Sequence, residues 1–190
     1  MLITKNNELS EVLKIVLDAL KSAAKDTGHP FRFMSLATIH QQVPDIRYVV
    51  LRAMDAEGCL YFFTDYRTQK IGHIRANPDV ALLFYDSEKG VQIRMQGTAL
   101  VHRNNAVAEK FWMTVEGEAQ KAYNPVLTPG TLISHPVEAY NWPENMGNSN
   151  FSVVQIVPSE FNVLQLDGMN HIRAKYVRND DKWKMDWIAP

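Results

Sequence analysis

Short segments rich in β-branched and aromatic residues follow one another along most of the chain, and this succession constrains the fold more than any other feature. The segments before residue 110 and after residue 150 are predicted to be strands. The turns 55–58 and 86–90 each join two neighbouring segments with hairpin chemistry, so we expect an antiparallel meander or barrel. The predicted strands are 33–39, 48–54, 60–64, 80–85, 91–101, 151–157, 161–166, 171–178 and 183–188.

Helical periodicity is confined to three places. Residues 8–25 carry leucine and valine every three or four positions with charged residues between them, which is typical of an amphipathic helix. Two shorter helices are predicted, from Thr68 to Ala76 and from Asn105 to Val115, the second with Asn104 placed to cap it. The fold class that follows is mainly β with peripheral helices (α+β).

The length of 190 residues and the 46% hydrophobic content predict a single domain, 1–190, with one substantial core. Residues 1–28 contribute the N-terminal amphipathic helix. Residues 116–150 carry four prolines and scattered glycines without periodicity, so they are predicted to be a loop-rich excursion.

Charge and composition exclude several functions. A formal net charge of -1 provides no basic field for nucleic acid or anionic membranes, so an anionic ligand must meet a local cluster of cations. The single cysteine excludes a disulfide framework, and the 6 histidines show no metal-ligand spacing. Acidic residues come too early at the N-terminus for a signal peptide, and no long apolar run follows, so we expect a soluble cytoplasmic protein.

Two arginines stand in the otherwise apolar segment that includes Val49 and Leu51. Arg47 and Arg52 are five positions apart in the sequence. Because this difference is odd, under strict alternation they face opposite sides of the sheet. Both can reach one ligand at a strand end, at an edge or in a cleft shared with a second chain. Surface ion pairs remain the alternative reading.

A second cationic segment follows the predicted strand 60–64. The chain runs from Thr64 through Arg67 and Thr68 to Lys70 at the start of a helix. Helix N-termini leave N–H groups unpaired and carry partial positive charge, which suits phosphate, and the two cations and two hydroxyls add to this. The segment predicts a phosphorylated ligand, although a basic strand-turn-helix without a ligand is also common.

Polar residues alternate in the strand 91–101. Gln92 is the first of three such residues that face one side, and its amide can donate and accept hydrogen bonds at once. A solvent-facing edge strand is the alternative. Gly97 in the same strand permits a bulge or a close backbone approach.

Taken together, these segments resemble the pyridoxamine 5'-phosphate oxidase-like family of FMN-binding split β-barrels. The match runs from about Phe33 to Pro190, and its order and spacing are more specific than any one part. The residues that carry it are 47–52 (RYVVLR), 58–64 (GCLYFFT), 68–70 (TQK), 77–84 (NPDVALLF), 92–97 (QIRMQG) and 183–190 (WKMDWIAP).

The resemblance implies an antiparallel split β-barrel, FMN as cofactor and a homodimer with FMN at the subunit interface. It implies that an arginine near the C-terminus, here Arg173, helps to hold the flavin, and that His171 beside it contacts substrate. The cofactor-binding residues implied are Arg47, Val49, Leu51, Arg52, Phe63, Thr64, Arg67, Thr68, Lys70, Gln92 and Arg173.

The departures from the family pattern concern the substrate. The oxidase binds the phosphate of its substrate with a tyrosine, an arginine and a serine, where this chain has Phe111, Val115 and Ala119. Met169 replaces the arginine two residues before His171, and Gln69 replaces a basic residue beside the flavin phosphate. The family tryptophan near the flavin has no clear counterpart.

These departures leave several functions open. We predict an FMN-binding flavoprotein, an FMN-dependent oxidoreductase of unknown substrate and unknown catalytic residues. The alternatives are a pyridoxamine/pyridoxine 5'-phosphate oxidase, a non-catalytic flavin-binding or sensing protein, a barrel that holds haem or a deazaflavin, and a barrel without a cofactor.

Overall fold

The computed structural model describes residues 1–180 and 182–190. Three α-helices and nine β-strands lie in these ranges. The helices are α1 (Leu9–Ala23), α2 (Gln69–Ala76) and α3 (Ala106–Trp112). The strands are β1 (Phe33–His40), β2 (Val43–Val50), β3 (Ala53–Met54), β4 (Leu60–Asp65), β5 (Asp79–Asp86), β6 (Val91–His102), β7 (Phe151–Gln165), β8 (Ile172–Asn179) and β9 (Lys182–Trp187).

Every pairing between these strands is antiparallel. The sheet order is β2-β1-β5-β6-β7-β4-β3, and β8 pairs with both β7 and β9. β7 pairs with β6 along most of its length, with β4 near its start and with β8 near its end. The sheet therefore branches at β7, and both predicted hairpins, β3–β4 and β5–β6, are confirmed.

Gly97 allows β6 and β7 to approach closely. The register between the two strands shifts between Gln96 and Gly97. A Cβ atom on Gly97 would lie 2.4 Å from the carbonyl oxygen of Val157, which no side chain can tolerate. The predicted bulge is confirmed. β7 continues through Pro158, so the two strands predicted over 151–166 are one bent strand.

The strand predicted over 48–54 is wrong in its bounds. β2 begins at Val43 and ends at Val50, and β3 covers only Ala53–Met54. The β1–β2 turn is made by Gln41 and Gln42, which have φ angles of 47° and 68°. Tight hairpins usually place glycine, asparagine or aspartate at such positions, so the two glutamines gave no turn signal.

α1 covers one side of the barrel with a buried face of Val12, Leu13, Val16 and Leu20. Burial of such side chains contributes about 1.5–3 kcal/mol each to folding. α3 is shorter than predicted, and its N-cap is Asn105 rather than Asn104, because the Asn105 side chain accepts a hydrogen bond from the Ala108 N–H.

The excursion 116–150 contains only short 3-10 segments, Gly117–Tyr123 and Pro136–Ala139. In the described parts of the chain, no helix is both long enough and apolar enough to cross a membrane.

Candidate functional site

A cluster of donors forms where β4 turns into α2. The Lys70 ammonium donates to the hydroxyl of Thr64 at 3.1 Å, and the hydroxyls of Thr64 and Thr68 are 3.4 Å apart. Lys70 follows Gln69, the first residue of α2, so the free N–H groups of that helix end face the same place. We call Arg47, Thr64, Thr68 and Lys70 the Lys70 cluster.

Arg47 brings a second cation to the Lys70 cluster. Its guanidinium donates to the hydroxyl of Thr38 at 2.7 Å and forms an ion pair with Asp45. Burial lowers the pKa of Lys70, and the charge of Arg47 lowers it further. In the described parts of the chain, no carboxylate lies within 4.0 Å of the Lys70 ammonium. Two neighbouring cations, hydroxyl donors and a helix N-terminus fit a phosphate monoester.

Arg67 lies near the Lys70 cluster in the sequence, but its guanidinium contacts other groups. Its guanidinium donates to both carboxylate oxygens of Asp65, which is 3% exposed, and to the carbonyl oxygen of Pro125 at 2.7 Å. These contacts tie the excursion to the end of β4. Val49 and Leu51 point their side chains into the core, so only their backbone faces a ligand.

Arg52 lies in a different place from Arg47. It follows the end of β2, and its guanidinium carbon is 5.9 Å from the centre of the Phe63 ring. It opens onto a cavity of about 330 Å³, which we call the Arg52 pocket. The lining residues are Arg32, Arg52, Phe63, Phe111, Thr114, Val115, Ala119 and Tyr123.

A second guanidinium lines the Arg52 pocket. Arg32 is 8% exposed and donates to the carbonyl oxygens of Ala23 and Ala24 at 3.2 and 2.6 Å, at the end of α1. Burial lowers the pKa of Arg32, and the positive charge of Arg52 lowers it further. Within the described residues, neither arginine has a carboxylate within 4.0 Å. The pocket therefore concentrates positive charge.

Aromatic rings form the rest of the pocket wall. The Phe111 ring centre is 5.2 Å from that of Phe63, and the Tyr123 ring centre is 5.0 Å from that of Phe151. Burial raises the pKa of the Tyr123 phenol, and Arg52 opposes the shift. The hydroxyl of Tyr123 is thus a protonated donor at neutral pH.

Sequence reasoning missed Arg32 and Tyr123. The signal for Arg32 was a cation between Phe31 and Phe33 at the start of a strand, where a charge needs a partner. Tyr123 lies in the irregular excursion, where no periodicity marks a buried residue, so the sequence held no signal for it.

Gln92 and Arg173 share one exposed face of the sheet. Gln92 is opposite Leu164, and Leu164 is opposite Arg173, so all three side chains point to the same side. Arg173 donates to the side-chain oxygen of Asn162 at 3.0 Å. The same face exposes large apolar side chains on β2 and β5. We call it the exposed sheet face, made of Ile46, Tyr48, Tyr85, Gln92, Arg94 and Arg173.

Gln92 and Arg173 are attached near one end of β7, and Thr64 of the Lys70 cluster is attached near the other. Thr64 is opposite Ser152 near the start of that strand, and Gln92 is opposite Leu164 near its end. At about 3.3 Å per residue, roughly 40 Å of strand path separates these positions. Arg47 pairs with the buried Leu36, whereas Gln92 pairs with the exposed Tyr85, so their side chains point to opposite faces of the sheet.

His171 lies in the connection between β7 and β8, away from both the Lys70 cluster and the Arg52 pocket. Its ring is exposed, and Nδ1 accepts a hydrogen bond from the Asp167 N–H at 3.1 Å. Through this hydrogen bond the His171 ring stabilises the turn between β7 and β8.

Comparison with known proteins shows what this chain is similar to. Residues 14–103 match the family model described as pyridoxamine 5'-phosphate oxidase, FMN-binding domain. The chain is 25% identical over 168 residues to a pyridoxine/pyridoxamine 5'-phosphate oxidase of Legionella pneumophila, covering 83% of this chain and 77% of the relative. A Granulibacter bethesdensis oxidase is 44% identical over 72 residues, 35% of this chain and 34% of that protein.

The chain is thus similar in sequence and in fold to the pyridoxamine 5'-phosphate oxidase-like FMN-binding family. FMN is its cofactor, as the resemblance implied.

Two solved structures share the fold of this chain. An FMN-binding, pyridoxamine 5'-phosphate oxidase-related protein of Nostoc punctiforme has a TM-score of 0.77 at 21% identity, covering 98% of this chain and 99% of that one. PhzG from Burkholderia lata, solved with tetrahydrophenazine-1-carboxylic acid, has a TM-score of 0.73 at 18% identity, covering 98% and 94%. The predicted antiparallel split barrel is confirmed.

Proposed function

We propose that this protein is an FMN-dependent oxidoreductase whose substrate is not a vitamin B6 phosphate. The observation that carries the proposal is the contrast between a Lys70 cluster with donors suited to the FMN phosphate and an Arg52 pocket whose far wall is apolar. FMN supplies the hydride chemistry when bound, and the protein orients both reactants.

The Lys70 cluster holds the FMN phosphate in this proposal. Lys70 and Arg47 supply charge, and the Thr64 and Thr68 hydroxyls and the start of α2 supply donors. Charge-assisted hydrogen bonds contribute about 1.5–3 kcal/mol each, and micromolar affinity needs about 8 kcal/mol, so three or four such contacts provide most of it. Arg67 supports the site indirectly by fixing the turn through Asp65.

We further propose a homodimer with FMN between the subunits. In this proposal a second copy supplies Gln92 and Arg173, which point to the opposite face of the sheet from Arg47 and pair with the other end of β7 from Thr64. The face around them exposes Tyr48 by 74%, Ile46 by 66% and Tyr85 by 50%, an apolar content typical of a buried interface. Gln92 then pairs with the polar edge of the flavin ring, and Arg173 adds a positive charge beside it.

The Arg52 pocket is poorly suited to the phosphate of pyridoxamine phosphate. Phe111, Val115 and Ala119 line it and offer no side-chain donors. The related fold of PhzG was solved with a ring carboxylic acid, which supports a substrate range for this fold beyond phosphate esters.

The cofactor is tested by the absorbance spectrum of the purified protein and by mass analysis of the compound it releases. FMN at one per chain is expected. Protein that stays colourless after incubation with excess FMN would sink the proposal. Sedimentation analysis is expected to give a dimer, and Tyr48→Glu is expected to shift it toward monomer and weaken FMN binding.

The reaction is tested by flavin reduction with NADH and NADPH, and by turnover of pyridoxamine 5'-phosphate under air. We expect reduction by a nicotinamide donor and negligible vitamin B6 turnover. Rapid turnover of pyridoxamine 5'-phosphate would make the protein a true oxidase. A flavin that neither donor reduces would favour a non-catalytic flavin-binding role.

A further inference from the structure

The Arg52 pocket has a chemistry that specifies a class of substrate. We propose that it binds a planar aromatic or conjugated carboxylate, with the carboxylate on Arg52 and the ring against Phe111 and Phe63. This inference rests on the proposed function, because it assigns the substrate of the same flavin site.

The cations of the pocket require an anion. Arg32 and Arg52 both line the pocket, and within the described residues neither has a carboxylate within 4.0 Å. Arg32 is 8% exposed, so this charge is poorly solvated. A bound anion relieves the repulsion between the two guanidinium groups.

The number of donors favours a carboxylate over a phosphate ester. The planar fork of Arg52 matches the two oxygens of a carboxylate, and the Tyr123 hydroxyl adds one donor. One nitrogen of Arg32 is already used by the carbonyl oxygens of Ala23 and Ala24. A phosphate has a third charged oxygen that needs a further donor; the side chains of Phe111 and Val115 offer none, and the Thr114 hydroxyl already donates to the Phe111 carbonyl oxygen.

The aromatic wall favours a flat ring. Phe63, Phe111 and Tyr123 present ring faces and edges to the cavity, and such contacts favour stacked or edge-on aromatic partners. The volume of about 330 Å³ is at the small end of ligand pockets, so it suits one or two fused rings better than a nucleotide.

The pocket also lies beside the proposed cofactor site. Phe63 and Thr64 are successive residues of β4, so their side chains point to opposite faces, Phe63 toward the Arg52 pocket and Thr64 toward Lys70. A substrate on Arg52 is thus held by the strand that also holds the cofactor.

The test uses FMN-loaded protein and three matched groups of ligands, namely 1- and 2-naphthoate, the corresponding naphthamides and the corresponding naphthyl phosphates. Isothermal titration calorimetry measures affinity, and perturbation of the flavin absorbance reports proximity to the ring. We expect at least one naphthoate to bind, with its amide at least 10-fold weaker, since the amide loses a charge-assisted bond. The phosphates are expected to bind more weakly than the naphthoates.

Variants assign the contact. Arg52→Gln is expected to weaken naphthoate binding about 10- to 100-fold and to leave the naphthamide unchanged, and Tyr123→Phe is expected to weaken naphthoate binding about 2- to 10-fold. Arg75→Gln, an arginine on α2 outside the pocket, is the matched control and is expected to change neither. FMN content is measured for every variant, so loss of cofactor is not mistaken for loss of ligand.

The outcomes separate the two proposals. FMN-loaded protein that ignores both naphthoates, prefers a naphthyl phosphate, or binds naphthoate equally well after Arg52→Gln overturns the inference and leaves the flavin function standing. Protein that takes up no FMN overturns the function. In that case naphthoate binding to the wild type, lost in Arg52→Gln, still supports the chemistry assigned to the pocket.

Discussion

The Lys70 cluster and the Arg52 pocket are both cationic, yet their surroundings differ. Around Lys70 the neighbours are hydroxyls, a helix N-terminus and a second cation. Around Arg52 the neighbours are aromatic rings and a guanidinium buried beneath them. The first environment suits a multiply charged, strongly hydrated group, and the second suits a flat apolar molecule with one charged end.

The difference between these surroundings shows how one short segment can place two arginines in two separate sites. Arg47 and Arg52 are five residues apart, but Arg47 is in β2 while Arg52 lies just beyond its end, and their side chains go to separate sites. One short segment thus contributes a cation to each of two separate sites.

The largest expected effect is on a residue that the comparison assigns to neither ligand. Arg67→Gln leaves the Asp65 carboxylate buried without its ion-pair partner, so the free energy of unfolding should fall by about 3 kcal/mol. Urea denaturation measures this, with Arg75→Gln as the exposed control. A loss of FMN affinity without loss of stability would place Arg67 in direct contact with the cofactor.

The next effect concerns the cofactor alone. Lys70→Gln removes a half-buried charge from the Lys70 cluster, so the dissociation constant of FMN should rise about 10- to 100-fold. Flavin fluorescence titration measures it, and Lys25→Gln, at the exposed end of α1, is the control. At saturating FMN the affinity for naphthoate should be unchanged. If both affinities fell together, the two sites would not be separate.

A smaller effect is the pH dependence of stability, and it concerns only the surroundings of the Lys70 cluster. His73 is buried behind the Lys70 cluster, its ring 4.7 Å from that of His40 and its Nδ1 3.1 Å from the Thr38 hydroxyl. Burial, with the nearby His40 and Arg47, lowers the pKa of His73 below its ordinary 6.5, although Asp45 opposes the shift.

Because its folded-state pKa is lowered, His73 binds fewer protons folded than unfolded once the pH falls below 6.5. Stability is therefore lost between pH 6.5 and the lower folded pKa, and it is retained above pH 6.5. His73→Gln should make the unfolding free energy less dependent on pH in this range. An unchanged pH profile in urea denaturation would exclude His73 as the group responsible.

The smallest expected effect is a gain. Ala119→Ser adds one hydroxyl to the apolar wall of the Arg52 pocket, so the affinity for a naphthyl phosphate should rise about 2- to 10-fold. Ala122→Ser, in the same 3-10 segment but outside the pocket lining, is the matched control. Equal changes in both variants would show that the wall does not discriminate against phosphate.

Local signals predicted much of this molecule. Strand alternation put Gln92, Arg94 and Gln96 on one face, and Gly97 marked the bulge. The β1–β2 turn was missed because Gln41 and Gln42 adopt left-handed conformations without a glycine.

The candidate site was only partly predictable, for a physical reason. Lys70 and Thr64 are six residues apart, and a strand-turn-helix suffices to bring them together. Arg32 and Arg52 are brought together at the open end of the β1–β2 hairpin, where the Leu51 N–H donates to the Arg32 carbonyl oxygen, and this hairpin gave no turn signal. Tyr123 comes from the distant excursion and joins them only through tertiary packing, which no local pattern encodes.

The contact of Arg67 with the Pro125 carbonyl has a consequence for how such a protein can be remodelled. Pro125 follows the pocket residue Tyr123 by two positions, so one guanidinium pins the excursion that carries a wall of the Arg52 pocket. The pocket residues Val115, Ala119 and Tyr123 all precede this anchor, so a change that breaks the Asp65–Arg67 pair disturbs a wall of the pocket together with the end of β4. One side chain thus holds the end of a strand and the shape of a neighbouring cavity at the same time.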